Sequence, residues 1–170
     1  IKVIGKNAFV QVFESTRGMR VGDEAEFEGH MLEVTLGPGM LSRNYDGLQN
    51  DLDKMEGVFL RRGEYTFPLD NDKLWDFKPL AKVGDKVAAG GWLGEVDENF
   101  QPHKIMVPFT FKGEYTVKSL KEAGQYIIGE VIAVLTDEAG KDVEVTMIQR
   151  WPVKRAITCY KEKPRPYKLL

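Results

Sequence analysis

The sequence predicts a mainly β protein with little helix. Two observations carry the prediction: apolar residues recur at a spacing of two in several short runs, and glycine-centred turns separate those runs. Ala8 to Phe13 alternates and reads as a strand, with Gly5-Lys6-Asn7 able to turn the chain before it and Thr16-Arg17-Gly18 after it. Met19 to Asp23 leads towards the next strand. Met31 to Leu36 alternates again and stops at Gly37-Pro38-Gly39, where proline removes a donor and glycine admits positive φ. Asp46-Gly47 opens a short helical candidate: Leu48, Leu52 and Met55 fall at i, i+4 and i+7. A helix that short has to be docked on something.

From Glu64 to Phe77 the pattern is irregular, with Leu74, Trp75 and Phe77 expected to anchor it to a core. A second β region follows. Leu80 to Val83 leads into Gly84-Asp85, Lys86-Val87, Gly90-Gly91 and then Trp92 to Val96. Lys104 to Pro108 reads as a short strand. Tyr126 to Leu135 and Val143 to Trp151 form the clearest predicted hairpin, joined by Asp137 to Asp142. Beyond Trp151-Pro152, Lys, Arg and Pro dominate Lys161 to Tyr167, which favours an extended segment. One domain boundary is expected between Tyr45 and Phe67 and another near Pro152. There is no internal repeat and no low-complexity tract.

Composition narrows the function classes. The 170 residues allow one ordinary domain or two small ones, and 42% apolar with 29% charged residues permits a packed core. A net charge of −2 with both signs interspersed argues against nucleic acid as the main partner. The single cysteine, Cys159, forms no internal disulfide and fits a reduced, cytosolic setting. The longest apolar run, Tyr126 to Leu135, is too short to span a bilayer and contains Glu130. The N-terminus lacks the zones of a signal peptide. With Ile1 first and Leu169-Leu170 last, both ends read as cut, which predicts a fragment of a longer protein.

Each chemical candidate has a plainer reading. A phosphate-binding loop needs backbone N–H groups near the phosphates plus a Lys and a Ser or Thr; no GxxxxGK[ST] run is present, and Gly37-Pro38-Gly39 reads as a turn. His30 and His103 are the only histidines, whereas a zinc site needs about four ligands, so His103 beside Lys104 reads as a strand-edge residue. Cys159, between Thr158 and Tyr160, has no adjacent base to activate it. Asp70 with Asp72, or Asp97 with Glu98, could be drawn as an acid–base pair, but scattered surface carboxylates are the simpler reading. Lys161, Lys163, Arg165 and Lys168 beside Tyr160 and Tyr167 read as a solvated linker rather than an RNA site. The sequence thus predicts no catalytic, cofactor-binding or metal-ligating residue.

Three segments carry a family resemblance. They are Leu32 to Leu41 with Tyr45-Asp46-Gly47-Leu48-Gln49, then His103 to Pro108, then Met147 to Lys154 with Lys163-Pro164-Arg165-Pro166. In this order and spacing they resemble the A subunit (alpha chain, catalytic subunit) of V-type and archaeal-type rotary ATPases. Where that family often has Arg-Pro after the Asp-Gly-hydrophobic-Gln run, this chain has Asn50-Asp51. The resemblance implies that residues 1–45 belong to an N-terminal β-barrel whose first strands are missing, and that 46–66 form a connector. It also implies a bulge, or non-homologous region, over 67–151, of barrel-sandwich-hybrid type. Residues 152–170 would lead to an absent nucleotide-binding domain. The phosphate loop and catalytic Glu of the parent would lie past Leu170, so ATP and Mg would belong to the parent alone. The implied partners are B subunits in an alternating ring and the peripheral stalk, with a cytoplasmic location peripheral to the membrane, no direct membrane insertion and H⁺ or Na⁺ as the transported ion. The truncated fragment is expected to self-associate through exposed strands such as Ala8 to Phe13.

A rival resemblance exists. Lys82 to Val96 is similar to the entry hairpin of biotinyl and lipoyl carrier domains, in which the modified lysine sits at the tip of a tight hairpin. Lys104, between His103 and Ile105 and four positions before Pro108, is expected within or entering a strand instead. A stand-alone β-rich binding module is the third reading.

Overall fold

A computed structural model of the chain describes residues 2–12, 15–27, 29–55 and 65–159. Two units divide them: residues 2–30 form the first, and 31–55 with 65–159 the second.

The first unit contains one hairpin. β1 (Lys2–Ile4) and β2 (Asn7–Phe9) pair antiparallel, with Val3 opposite Ala8. Gly5, at φ 59°, occupies the first position of the two-residue turn. Every described residue of this unit is exposed, including Val3, Ile4, Phe9, Val10, Val12 and Phe27. The expected strand over Ala8 to Phe13 is therefore shortened: β2 ends at Phe9, residues 10–12 are irregular, and Phe13 lies outside the described residues.

The second unit holds ten strands. They are β3 (Glu33–Leu36), β4 (Leu74–Pro79), β5 (Lys86–Ala88), β6 (Trp92–Glu98), β7 (Gln101–Met106), β8 (Glu114–Leu120), β9 (Gly124–Ile127), β10 (Ala133–Asp137), β11 (Asp142–Val145) and β12 (Gln149–Pro152). One four-stranded sheet runs β7-β6-β4-β9, another β11-β10-β8-β5, and β3 pairs with β12 alone; every pairing is antiparallel. The mainly β prediction holds, and among the described residues the sheets stay open rather than closing into a barrel.

Two cores fill the unit. Leu69, Trp75, Phe77, Val96, Ile105, Ile128, Ile132 and Met147 form one; Leu93, Val107, Val117, Ala133, Leu135 and Val145 form the other. β6 supplies both through the period-two alternation of a strand, assisted by the register shift between Trp92 and Gly94. Gly94 is required there: a Cβ would stand 2.2 Å from Phe77 Cε2.

Several expectations need correction. The irregular stretch before Phe77 ends in a regular strand, β4, whose alternation buries Trp75 and Phe77 and turns Leu74 to solvent, so only two of the three expected anchors reach the core. The helical candidate on Leu48, Leu52 and Met55 is reduced to one 3₁₀ turn over Leu52–Lys54. The Asp46 carboxylate captures the N–H groups of Leu48 (2.9 Å) and Asn50 (2.8 Å), and Gln49 adopts φ 64°, so the first turn of a helix cannot form. The predicted hairpin exists as β10–β11, with Asp137 Oδ1 accepting from Ala139 and Lys141 across its turn. Its two long runs are split, because the chain changes sheet at 128–132 and again at 146–148.

Candidate functional site

Three side-chain systems define the surface that the sequence segments 32–51, 98–109 and 147–155 share. The first is the stem. β3 and β12 pair from Leu36 opposite Gln149 to Glu33 opposite Pro152, and Val153 N–H extends the ladder to Leu32 O at 3.0 Å. The outer edge of β3 is capped by one side chain. Gln49 Oε1 accepts from Thr35 N–H and Gln49 Nε2 donates to Thr35 O, each at 2.7 Å, so the amide stands in for a missing strand. On β12, Trp151 is buried, meets Phe109 edge-on at 5.8 Å, and donates Nε1–H to Arg155 O at 2.7 Å. Gln149 Oε1 accepts from Phe109 N–H at 2.9 Å.

The second system is the connector over residues 43–54 and 65–69. Asp51 is fully buried and pairs with Arg43 at 2.7 Å, with Lys54 further off at 3.8 Å. Its N–H donates to Thr66 Oγ1, and Thr66 N–H donates to Asn50 Oδ1. Asn50 Nδ2 returns to Asp46 at 2.8 Å. Partial burial pushes the Asp46 carboxyl up, but the hydrogen bonds from the Asn50 side chain and from the Asn50 and Leu48 backbone outweigh it and hold the group below its ordinary 3.8. Tyr45 donates to Pro68 O at 2.8 Å, and burial, followed by the nearby Asp51 charge, raises its phenol.

The third system centres on Glu98, which is 2% exposed. Its Oε1 accepts from Gly39 N–H (2.7 Å) and Leu41 N–H (3.0 Å), and its Oε2 lies 2.7 Å from His103 Nδ1. The same carboxylate thus grips the Gly-Pro-Gly turn and β7. A cleft of about 180 Å³ runs between Gly37–Met40, His103–Met106 and Thr146–Gln149. It is mostly apolar in its lining and smaller than the ~300–1,000 Å³ usual for a small-molecule site.

The chemical candidates fall elsewhere or serve structure. His30 is exposed in the first unit, far along the sequence from His103. Asp70 Oδ1 accepts from Asp72 N–H at 3.1 Å, a local turn. Asp97 and Glu98 point apart in function: Asp97 Oδ1 accepts from Phe100 N–H at 2.9 Å, while Glu98 is committed as above. Cys159 packs against Gly90. Gly37-Pro38-Gly39 is a turn, with φ 102° at Gly39. Residues 161–168 lie outside the described residues. Among the described residues no group of three or more His, Cys, Asp or Glu side chains is placed to hold a metal.

Sequence reading touched Glu98, Gln49, Gln149 and the Asn50-Asp51 pair but missed the hydrogen bonds by which they hold these segments together. Of these only Asp46-Gly47 with Asn50-Asp51 carries a sequence signal, since clustered Asx residues capture backbone N–H groups. The others act across 14, 40 or 57–59 residues.

Lys104 lies inside β7, opposite Glu95, with which it forms an ion pair, and its Nζ sits 4.9 Å from the Trp92 ring centre. That ion pair holds the Glu95 carboxyl below its ordinary value. The tip of the β6–β7 hairpin is Asn99-Phe100. Neither residue of that tip is a lysine.

The described residues of the second unit thus form a mainly β domain of two open antiparallel sheets and a two-stranded stem. The family model for the ATP synthase alpha/beta subunit barrel-sandwich domain matches residues 66–154, and the chain belongs to that family. It is 46% identical over 173 residues to the V-type ATP synthase alpha chain of Treponema denticola, covering 100% of this chain and 29% of that protein. It is 47% identical over 169 residues to the corresponding alpha chain of Borrelia garinii subsp. bavariensis, covering 98% of this chain and 29% of that one. The alpha chain of Protochlamydia amoebophila is 42% identical over 173 residues. The chain therefore spans about 29% of the length of these curated relatives. The resemblance read from the sequence stands, and the carrier-domain alternative is overturned by the family match and by the mid-strand position of Lys104.

Proposed function

We propose that this chain is a non-catalytic, force-bearing segment of the alpha chain of a rotary V-type ATP synthase, coupling ATP hydrolysis or synthesis to H⁺ or Na⁺ transport. The observation that carries the reading is identity of 46% across the whole chain to V-type ATP synthase alpha chains. The geometry supports a mechanical role: stem, connector and sandwich are joined by buried hydrogen-bonded side chains, and a packed β domain resists deformation.

In this reading residues 1–45 contribute to the barrel that meets neighbouring B subunits in the ring. Residues 46–66 connect, 67–151 form the bulge offered to the peripheral stalk, and 152–170 lead towards the nucleotide-binding domain. The apolar surface of the β1–β2 hairpin supports a contact role for the first part. The segment holds no catalytic, metal or cofactor residues; Mg and ATP act in the parent. Its place is cytoplasmic, on the soluble side of the motor; among the described residues no helix is long and apolar enough to cross a membrane. Calorimetric titration of the chain with Mg-ATP tests the non-catalytic part. No binding tighter than a Kd of about 100 μM is expected, whereas micromolar binding would overturn it.

A further inference from the structure

The described residues contain four non-glycine residues at positive φ: Ser42 (62°), Gln49 (64°), Asn99 (53°) and Phe100 (65°). Such backbone is uncommon, and for a bulky residue such as Phe it is an outlier that persists only where the surroundings enforce it. All four fall in two short segments, 42–49 and 99–100, and these meet: Asn99 Nδ2 donates to Ser42 Oγ at 3.1 Å. Asn99 and Phe100 are the central residues of a two-residue turn that closes Glu98 onto Gln101, a turn for which glycine is the favoured second residue. Phe100 gains no packing for its strain, since it is 97% exposed. Glu98 opens this turn, and its buried carboxylate is the group that reaches across to Gly39 and Leu41.

We infer that Glu98 is a latch: it locks segment 39–49 and the 98–101 hairpin tip into one strained, rigid joint, so that a displacement of either segment is delivered to the other. The carboxylate is suited to the task. It accepts two N–H groups on one oxygen and faces His103 with the other, and burial shields these bonds from competing water. Without it, the left-handed residues on both sides lose their common anchor and relax together, while the two apolar cores, built from other residues, persist. This joint does not depend on the motor reading above, because it is a property of the second unit alone.

Native-state hydrogen exchange on the unaltered chain tests the latch first. The Gly39, Leu41 and Phe100 amides are expected to open with one shared denaturant dependence, distinct from the amides of Leu93 and Leu135; separate openings would overturn the inference. Glu98→Ala is then expected to speed exchange at Gly39 and Leu41 by about tenfold or more, and Glu98→Gln, which keeps an accepting oxygen and presents an amide to His103, by much less. If Glu98→Ala does not fold, the unaltered chain and Glu98→Gln still decide the matter. The strain is tested by a cycle with Asn99→Gly and Phe100→Gly. The fold-loss in the unfolding equilibrium caused by Glu98→Ala is expected to shrink by at least about threefold in the glycine background. Independent effects would show an ordinary buried hydrogen bond and no latch.

Discussion

At Asp51, a fully buried carboxylate has one close cation among the described residues, Arg43. Removing Arg43 while keeping its bulk, as in Arg43→Met, leaves that charge, among the described residues, with Lys54 at 3.8 Å. The expected loss is about 3 kcal/mol, read from urea unfolding; a loss under about 1 kcal/mol would show that the pair is a surface contact in effect. Gly94→Ala places a methyl group against Phe77 and is expected to cost about 1–3 kcal/mol by the same measurement. Asp46 makes the connector sensitive to acid. Its folded value is lowered from 3.8, so its contribution is fully present above that value and disappears as pH falls through the folded one. Unfolding midpoints should therefore drop as pH is taken below about 4, and Asp46→Asn should flatten that drop, since the amide does not titrate. An identical acid slope in the variant would contradict the assignment.

At the level of elements, the stem is the part whose failure should be felt most widely. Trp151→Ala removes a buried ring from Phe109 and a donor from Arg155 O, and is expected to destabilise by about 3–5 kcal/mol. Trp151→Phe should lose less, because the edge contact survives. Strand β3 was legible in advance, since Met31 to Leu36 alternates and stops at Gly-Pro-Gly, and β10–β11 was legible from its turn chemistry; the pairing of β3 with β12 was not, because Val143 to Trp151 reads as one arm of a hairpin with Tyr126 to Leu135. β4 was not: its solvent-facing residues, Leu74, Asp76 and Lys78, follow a loop containing Asp70 and Asp72, and a strand set between two others is defined by partners that come later in the chain. The expected helix failed for a readable reason. Asp46 offers the backbone N–H groups a nearer acceptor than any helical carbonyl, and an apolar spacing of four and three does not register that competition.

For the whole molecule, kinship was more legible than chemistry. The segments 32–41, 103–108 and 147–154 pointed to rotary ATPase A subunits, and identity across the chain to V-type ATP synthase alpha chains agrees. The joint between those segments was invisible, because Glu98 and Gln149 act on backbone groups many residues away, and nothing in a linear pattern marks a carboxylate as buried. The exposed apolar side chains of β1 and β2 call for a covering surface, so the isolated chain is expected to self-associate at high concentration, with light scattering as the check. The central claim is that this domain transmits force without making bonds. β3 and β12 are already paired at Leu36 and Gln149, so residues 38–147 can be replaced in a full alpha chain by a short glycine turn. The measurement is ions transported per ATP hydrolysed by the assembled enzyme. The account predicts that ATP hydrolysis persists while that ratio falls by about tenfold; an unchanged ratio, or loss of hydrolysis by a correctly assembled catalytic sector, would contradict it.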